Sequence, residues 1–211
     1  RAKDIKFVVL FGVREGAKKP KGIIKKIERI STYATIFGFQ GFIKVLKRMI
    51  IYYLMKNSKK EADFFSINRA CKRLDIPVYE FDSMEDPEFR TLLNKKIDVI
   101  FNQSDYIIKK EIIDIPRLGI INRHGSLLPK QKGRMASYWS HVNGNEYGVT
   151  VHFITEKVDC GDIIVQRTLN LSPKDSYYNI IKNIFEESSN CVLEAFSLLE
   201  DSKFKPKPMK M

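Results

Sequence analysis

Short apolar runs that alternate with stretches of helical spacing constrain this chain more than any other feature. Ile5 to Phe11 is an apolar run interrupted by Lys6 and closed by Gly12, which predicts a first, buried strand. Ser66 to Leu74 places Ile67, Ala70, Cys71 and Leu74 at helical spacing, and Ile76-Pro77-Val78-Tyr79 follows at once as a strand start. A helix over Pro87 to Lys95, a strand over Ile97 to Phe101 and a strand over Gly119 to Asn122 continue the series. This β-α-β-α-β order predicts an α/β fold with a mostly parallel sheet and helices on both faces. After a helix over Ser137 to Val142 the pattern changes. Tyr147 to Thr155 and Ile163 to Asn170 read as two strands of a C-terminal β-hairpin, joined by a turn holding Asp159, Cys160 and Gly161. Ser176 to Leu199 then reads as a long amphipathic helix. The expected organisation is one domain over 1–200, followed by a basic tail over 201–211 that is extended or mobile.

Charge narrows the classes of partner. With 37 Lys and Arg against 25 Asp and Glu, the net charge is +12, a field that attracts nucleic acid, acidic membrane surfaces or phosphorylated small molecules. The lysines cluster at 18–26, 44–48, 56–60 and 203–210, and otherwise spread widely, as solvated helix faces also do. Gly12 to Gly22 is a basic loop whose glycines are too far apart for a G-x-G-x-x-G phosphate cradle. Phe42 to Met55 has apolar residues at helical spacing, with Lys44, Lys47 and Arg48 on the other side. Such a helix packs on a core or lies on a membrane surface. No apolar run reaches the roughly 20 residues that a membrane span needs. Arg1 to Gly12 shows no signal peptide, and Cys71, Cys160 and Cys191 fit neither a disulfide framework nor a zinc pattern. A reducing, cytoplasmic setting is expected.

The densest chemistry lies between Asn122 and Asp162. Asn122-Arg123-His124-Gly125-Ser126-Leu127-Leu128-Pro129 follows directly on an apolar strand, and open parallel sheets bind ligands beyond the carboxyl ends of their strands. Asn122 and His124 stand two apart in an extended segment, so both project to one side. An amide can donate to a developing oxyanion, and an imidazole can move a proton near neutral pH. A structural pair, each satisfied by a neighbour, reads the same at this level. Asp159 is either a turn residue or, if the hairpin folds back over the sheet, a partner that favours the charged form of His124. His152 reads as structural or as support for the site, and His141 as a surface residue.

The ordered set N-x-H-x-S-L-L-P, a following glycine and tryptophan, G-V-T-V-H-F and D-x-G-D-I-I resembles the folate-dependent formyltransferases. These include the glycinamide ribonucleotide, methionyl-tRNA and nucleotide-sugar enzymes. The resemblance is strong from about Ile97 to Glu187. It implies a Rossmann-like catalytic domain, 10-formyltetrahydrofolate as co-substrate, no metal, and Asn122, His124 and Asp159 as the catalytic residues. It places the folate near Asp105, Tyr106, Ile107 and Ile108, near Ser126, Leu127, Leu128 and Pro129, and near Thr155 and Val158.

Three acceptors compete. Members that act on initiator tRNA carry a basic C-terminal domain, whereas only residues 201–211 follow the last helix here. The ribonucleotide enzymes have a tight glycine loop where this chain has Gly12-Val13-Arg14-Glu15-Gly16-Ala17. The run Gly133 to Trp139 is most similar to the sugar N-formyltransferases. There Arg134 meets a phosphate or hydroxyl, and Tyr138 or Trp139 offers a stacking face. A core position for Trp139 is the plain alternative. The expected acceptor is therefore the amine of a nucleotide-linked amino sugar, with nucleic acid a weaker candidate and a homodimer an open arrangement. An inactive relative serving as a membrane-peripheral or binding module is the reading outside enzymology.

Overall fold

The computed structural model describes residues 5–11, 23–55, 67–93 and 96–209. The Gly12–Gly22 loop and the lysine cluster at 56–60 lie outside them. The chain forms two compact units, Arg1–Leu92 and Leu93–Met211.

In the first unit, strand β1 (Val8–Phe11) pairs in parallel with β2 (Val78–Phe81), in the register Val8↔Val78 to Phe11↔Phe81. Parallel neighbours need a long connection, and this one contains helices α1 (Ile23–Met55) and α2 (Ile67–Arg73). Helix α3 (Pro87–Leu93) follows β2; Asp86 Oδ1 accepts the Glu88 N–H at 2.8 Å, which satisfies one of the amides that a helix start leaves orphaned. Its Phe89 sets its ring against Phe11 and Phe81, at 5.1 and 5.6 Å between centroids. The amphipathic run predicted over 42–55 is the second half of α1. Gly38 interrupts the helix at φ 65°, ψ 167°, a conformation that only glycine adopts without strain.

The second unit holds a four-stranded sheet in the order β3-β4-β5-β6. Strand β3 (Val99–Asn102) leads through a short helix α4 (Lys110–Ile113) to β4 (Gly119–His124), which pairs with it in parallel. Helix α5 (Ala136–Val142) precedes β5 (Tyr147–Phe153), which runs antiparallel to β4 and to β6 (Ile163–Leu169). The predicted C-terminal hairpin is therefore present, and parallel pairing holds β1–β2 and β3–β4.

Gly148 explains one glycine of the G-V-T-V-H-F run: a Cβ there would stand 2.4 Å from Leu127 Cδ2 and 2.5 Å from the Arg167 carbonyl oxygen. The last helix, α6 (Tyr177–Glu200), starts on a Ser176 cap. It buries Ile180, Ile184, Cys191 and Ala195, a spacing that returns to one helical face. Arg167 of β6 is ion-paired with Glu187 and Glu194 of that helix.

Of the two alternatives for the tail, it is extended where it returns to the sheet: the Lys207 N–H donates to Ile163 O at 2.8 Å, and the Ile163 N–H to Lys207 O at 2.9 Å. Strand-type pairing satisfies backbone groups that a loose tail would leave to water. One expectation needs correction: His141 is not a surface residue. It is half-buried, its Nδ1 is 2.8 Å from the Tyr147 hydroxyl, and its ring packs on Tyr177.

Candidate active site

Strand β4 ends in the polar triplet Asn122-Arg123-His124. The Asn102↔Asn122 register brings the residues just after β3 abreast of Asn122. Gln103 Nε2 donates to Asn122 Oδ1 at 2.8 Å and to the Asn102 carbonyl at 2.8 Å. With its oxygen engaged, the Asn122 amide presents its NH2 as a donor. Arg123 projects differently. Its guanidinium lies 4.8 Å from the centre of the Phe185 ring, and burial lowers its pKa.

His124 is buried, with its Nε2 2.9 Å from the Gln131 carbonyl. A carbonyl only accepts, so Nε2 carries the proton and neutral His124 turns the Nδ1 lone pair the other way. That lone pair faces Asp159 Oδ2 at 3.7 Å. His152, one strand over, has the same construction. Its Nδ1 donates to the Phe153 carbonyl at 2.7 Å, and Nε2 faces Asp159 Oδ1 at 3.6 Å with no hydrogen-bond partner. Burial lowers the pKa of His152, against the opposing pull of the Phe153 carbonyl and the Asp159 carboxylate, and so favours the neutral ring. Asp159 occupies the left-handed region at φ 48°, which Asp tolerates, and its Oδ2 accepts the Gly133 N–H at 2.7 Å. Gly161 two residues on lets the turn close: a Cβ there would be 2.0 Å from the Phe153 carbonyl oxygen.

Two imidazole lone pairs and a carboxylate thus surround one small gap, with their ligand atoms all within 4.8 Å of one another. Acceptors in that arrangement call for a donor. A proton, a water or amine N–H groups would each satisfy it. A divalent cation would also fit such a donor set. The sequence showed no metal-ligating cluster because His124, His152 and Asp159 lie far apart in the chain; the fold assembles one.

The remaining predicted positions divide by exposure. Ile108, Ser126, Leu127 and Leu128 are buried. Ser126 Oγ donates to the Gln131 carbonyl at 2.7 Å, and the Leu128 carbonyl accepts from Gln166 Nε2 at 2.8 Å, so this segment is tied to the loop before α5 and to the hairpin. Asp105, Ile107, Pro129, Thr155 and Val158 are exposed, and Tyr106 is half-buried. Arg134 is exposed and 3.4 Å from the Asp105 carboxylate. Tyr138 sits edge-on between Trp139 and Tyr177, and Trp139 is exposed rather than in the core. A cleft of about 420 Å³ lies beside the Asp159 turn, lined by Lys110, Ile113, Ile154, Thr155, Lys157 and Cys160. Sequence reasoning missed Gln103 and the Gln131 carbonyl; the polar run Asn102-Gln103-Ser104 at a strand end was the available signal for the first, and a backbone group leaves none.

The model of a family described as formyl transferase matches residues 58–196. A methionyl-tRNA formyltransferase of Chlorobium chlorochromatii is 32% identical over 141 residues, covering 66% of this chain and 45% of the relative. The chain spans less than half the length of the curated relatives it matches. The formyltransferase PseJ from Anoxybacillus kamchatkensis, in complex with UDP-4,6-dideoxy-4-formamido-L-AltNAc and tetrahydrofolate, superposes with a TM-score of 0.55 at 24% identity, over 68% of this chain and 76% of that one. Phosphoribosylglycinamide formyltransferase from Anaplasma phagocytophilum gives 0.58 at 22% identity, over 63% and 67%. At these identities the structural likeness is one of fold.

Proposed function

The chain belongs to the formyl transferase family, and from that premise we propose that it moves a formyl group from 10-formyltetrahydrofolate to the primary amine of a nucleotide-linked amino sugar. The observation that carries the reading is the closure of His124, His152 and Asp159 around one acceptor-lined gap, with Asn122 paired across the strands with His152. The amine enters uncharged and places its N–H groups toward those acceptors. Its nitrogen attacks the formyl carbon, a C–N bond forms, and the carbonyl electron pair moves onto oxygen. The Asn122 NH2, oriented by Gln103, donates to that oxyanion. His124 takes the proton that the amine loses, while Asp159 stabilises the imidazolium. The bond from the formyl carbon to N10 then breaks, and the proton passes to N10, which leaves as tetrahydrofolate.

For the donor, we place the pterin end between residues 105–108 and the turn containing Thr155 and Val158. Lys110, Lys157 and Glu156 are the charged residues that line the cleft beside that turn. On the acceptor side, exposed Arg134 and Trp139 offer a guanidinium for phosphate and a ring for stacking. PseJ, as its complex describes, binds a UDP-linked formamido sugar and tetrahydrofolate. A second reading, methionyl-tRNA as acceptor, draws on the curated relatives and on the +12 charge.

The test is release of tetrahydrofolate from 10-formyltetrahydrofolate, followed with nucleoside-diphosphate amino sugars, glycinamide ribonucleotide and methionyl-tRNA as acceptors. Turnover is expected with an amino sugar. Turnover confined to tRNA or to the ribonucleotide would overturn the acceptor, and none with any amine would overturn the activity.

A further inference from the structure

The second half of α1 carries a surface that the proposed chemistry does not use. From Phe39 to Met55, Phe39, Ile43, Leu46, Ile50 and Leu54 recur at intervals of three and four and are all exposed, with Phe39 at 76% and Leu54 at 70%. At about 100° per residue they occupy an arc of roughly 80°. They are not the packed side of the helix, because buried Gly41 and half-buried Phe42 and Val45 fall on a different arc. Exposed Lys47 borders the apolar stripe, and Arg48 lies further round. No Asp or Glu occurs between Arg29 and Met55. A solvated helix face normally mixes both signs of charge, and a contiguous apolar stripe is rarely left to water. No helix among the described residues is long and apolar enough to cross a membrane, and α1 also lies outside the residues that match the family model.

We propose that this stripe seats the protein on an anionic lipid surface, with α1 lying in the plane of the interface. The apolar residues would enter the headgroup boundary, and Lys47 would meet lipid phosphates from its edge, while Arg48, on the far side of the helix, adds to the attractive charge. Charge decides for lipid over a second copy of the chain. Pairing two such helices would bring their lysines together with no acidic residue after Arg29 of either to meet them, whereas an anionic surface neutralises them. The +12 net charge acts in the same direction at longer range. This inference does not depend on which amine is formylated.

The experiment is co-sedimentation of the 211-residue chain with vesicles of phosphatidylcholine alone or with about one third phosphatidylglycerol, at low and high salt, beside a sedimentation-velocity run without lipid. We expect binding to the anionic vesicles only, weakened by salt. Leu46→Glu with Ile50→Glu should lower the bound fraction at least tenfold without changing the melting curve. Lys47→Gln with Arg48→Gln changes only exposed residues and should lower it severalfold, which keeps the test valid if the first variant fails to fold. Absence of binding to anionic vesicles, equal binding by both variants, or a dimer that Ile50→Glu dissolves would each overturn the proposal.

Discussion

The β4-to-β6 region and helix α1 use the same kinds of residue in opposite ways. In the first, Ile120, Ile121, Val149 and Val151 are sealed inside, and the buried polar groups, Ser140 Oγ apart, are given a partner or aimed at the site. In the second, isoleucines and leucines of its C-terminal half face outward, and the charges after Arg29 are of one sign. A polar group without a partner is tolerated in a core only where it does something, whereas an apolar group outside asks what covers it. His152 Nε2 and the α1 stripe are the clearest example of each.

The contrast can be broken most directly at the site. His124→Ala and Asp159→Asn are each expected to reduce turnover on the order of 10³-fold while circular dichroism and melting stay near wild type. Asn122→Ala should cost on the order of 3 kcal/mol in the barrier. Near-normal turnover in any of these would return the polar cluster to a structural role. Packing gives the next largest contrast. Ile180→Ala, at a fully buried position, should lose about 2–5 kcal/mol in denaturant titration. Ile50→Ala on α1 should stay within about 0.5 kcal/mol. Equal losses would mean that the outward stripe is in fact packed.

Gln103→Leu sharpens the picture of how the site is held. It frees the Asn122 amide to rotate, and kcat should fall about tenfold with KM little changed, the loss of roughly one hydrogen bond. The smallest effect concerns pH. The folded-state pKa of His152 lies below its unfolded value of about 6.5. Between the two, the unfolded chain binds the proton that the folded chain refuses, so stability is full above about pH 6.5 and is lost as pH falls. His152→Gln should flatten that acid slope in melts between pH 7 and 5, although its melting temperature at pH 7 can be lower. An unchanged slope would show that His152 is not the titrating group.

Much of this was legible in the chain. The strand-like runs Tyr147 to Thr155 and Ile163 to Asn170 predicted the hairpin, because a glycine-bearing turn separates two short runs of strand formers. The helix over 176–199 was equally plain. The half-buried setting of His141 was not: a histidine at helical spacing looks like surface until a tyrosine from the next strand is laid beside it. The choice between an extended and a mobile tail was open for a similar reason: residue 207 meets the edge of β6 through backbone groups that carry no side-chain signature.

By itself, the sequence determined most of the elements, though neither the first half of α1 nor α4, and nominated Asn122, His124 and Asp159, since local periodicity and ordered motifs are written in neighbouring residues. Only the tertiary structure decided that Gln103 orients the amide, that the Gln131 and Phe153 carbonyls set both tautomers, and that two lone pairs converge on one carboxylate. It also decided that the apolar side chains of α1 face outward rather than into a core. These depend on contacts between residues distant in the chain and on backbone groups common to every residue, so no local pattern encodes them.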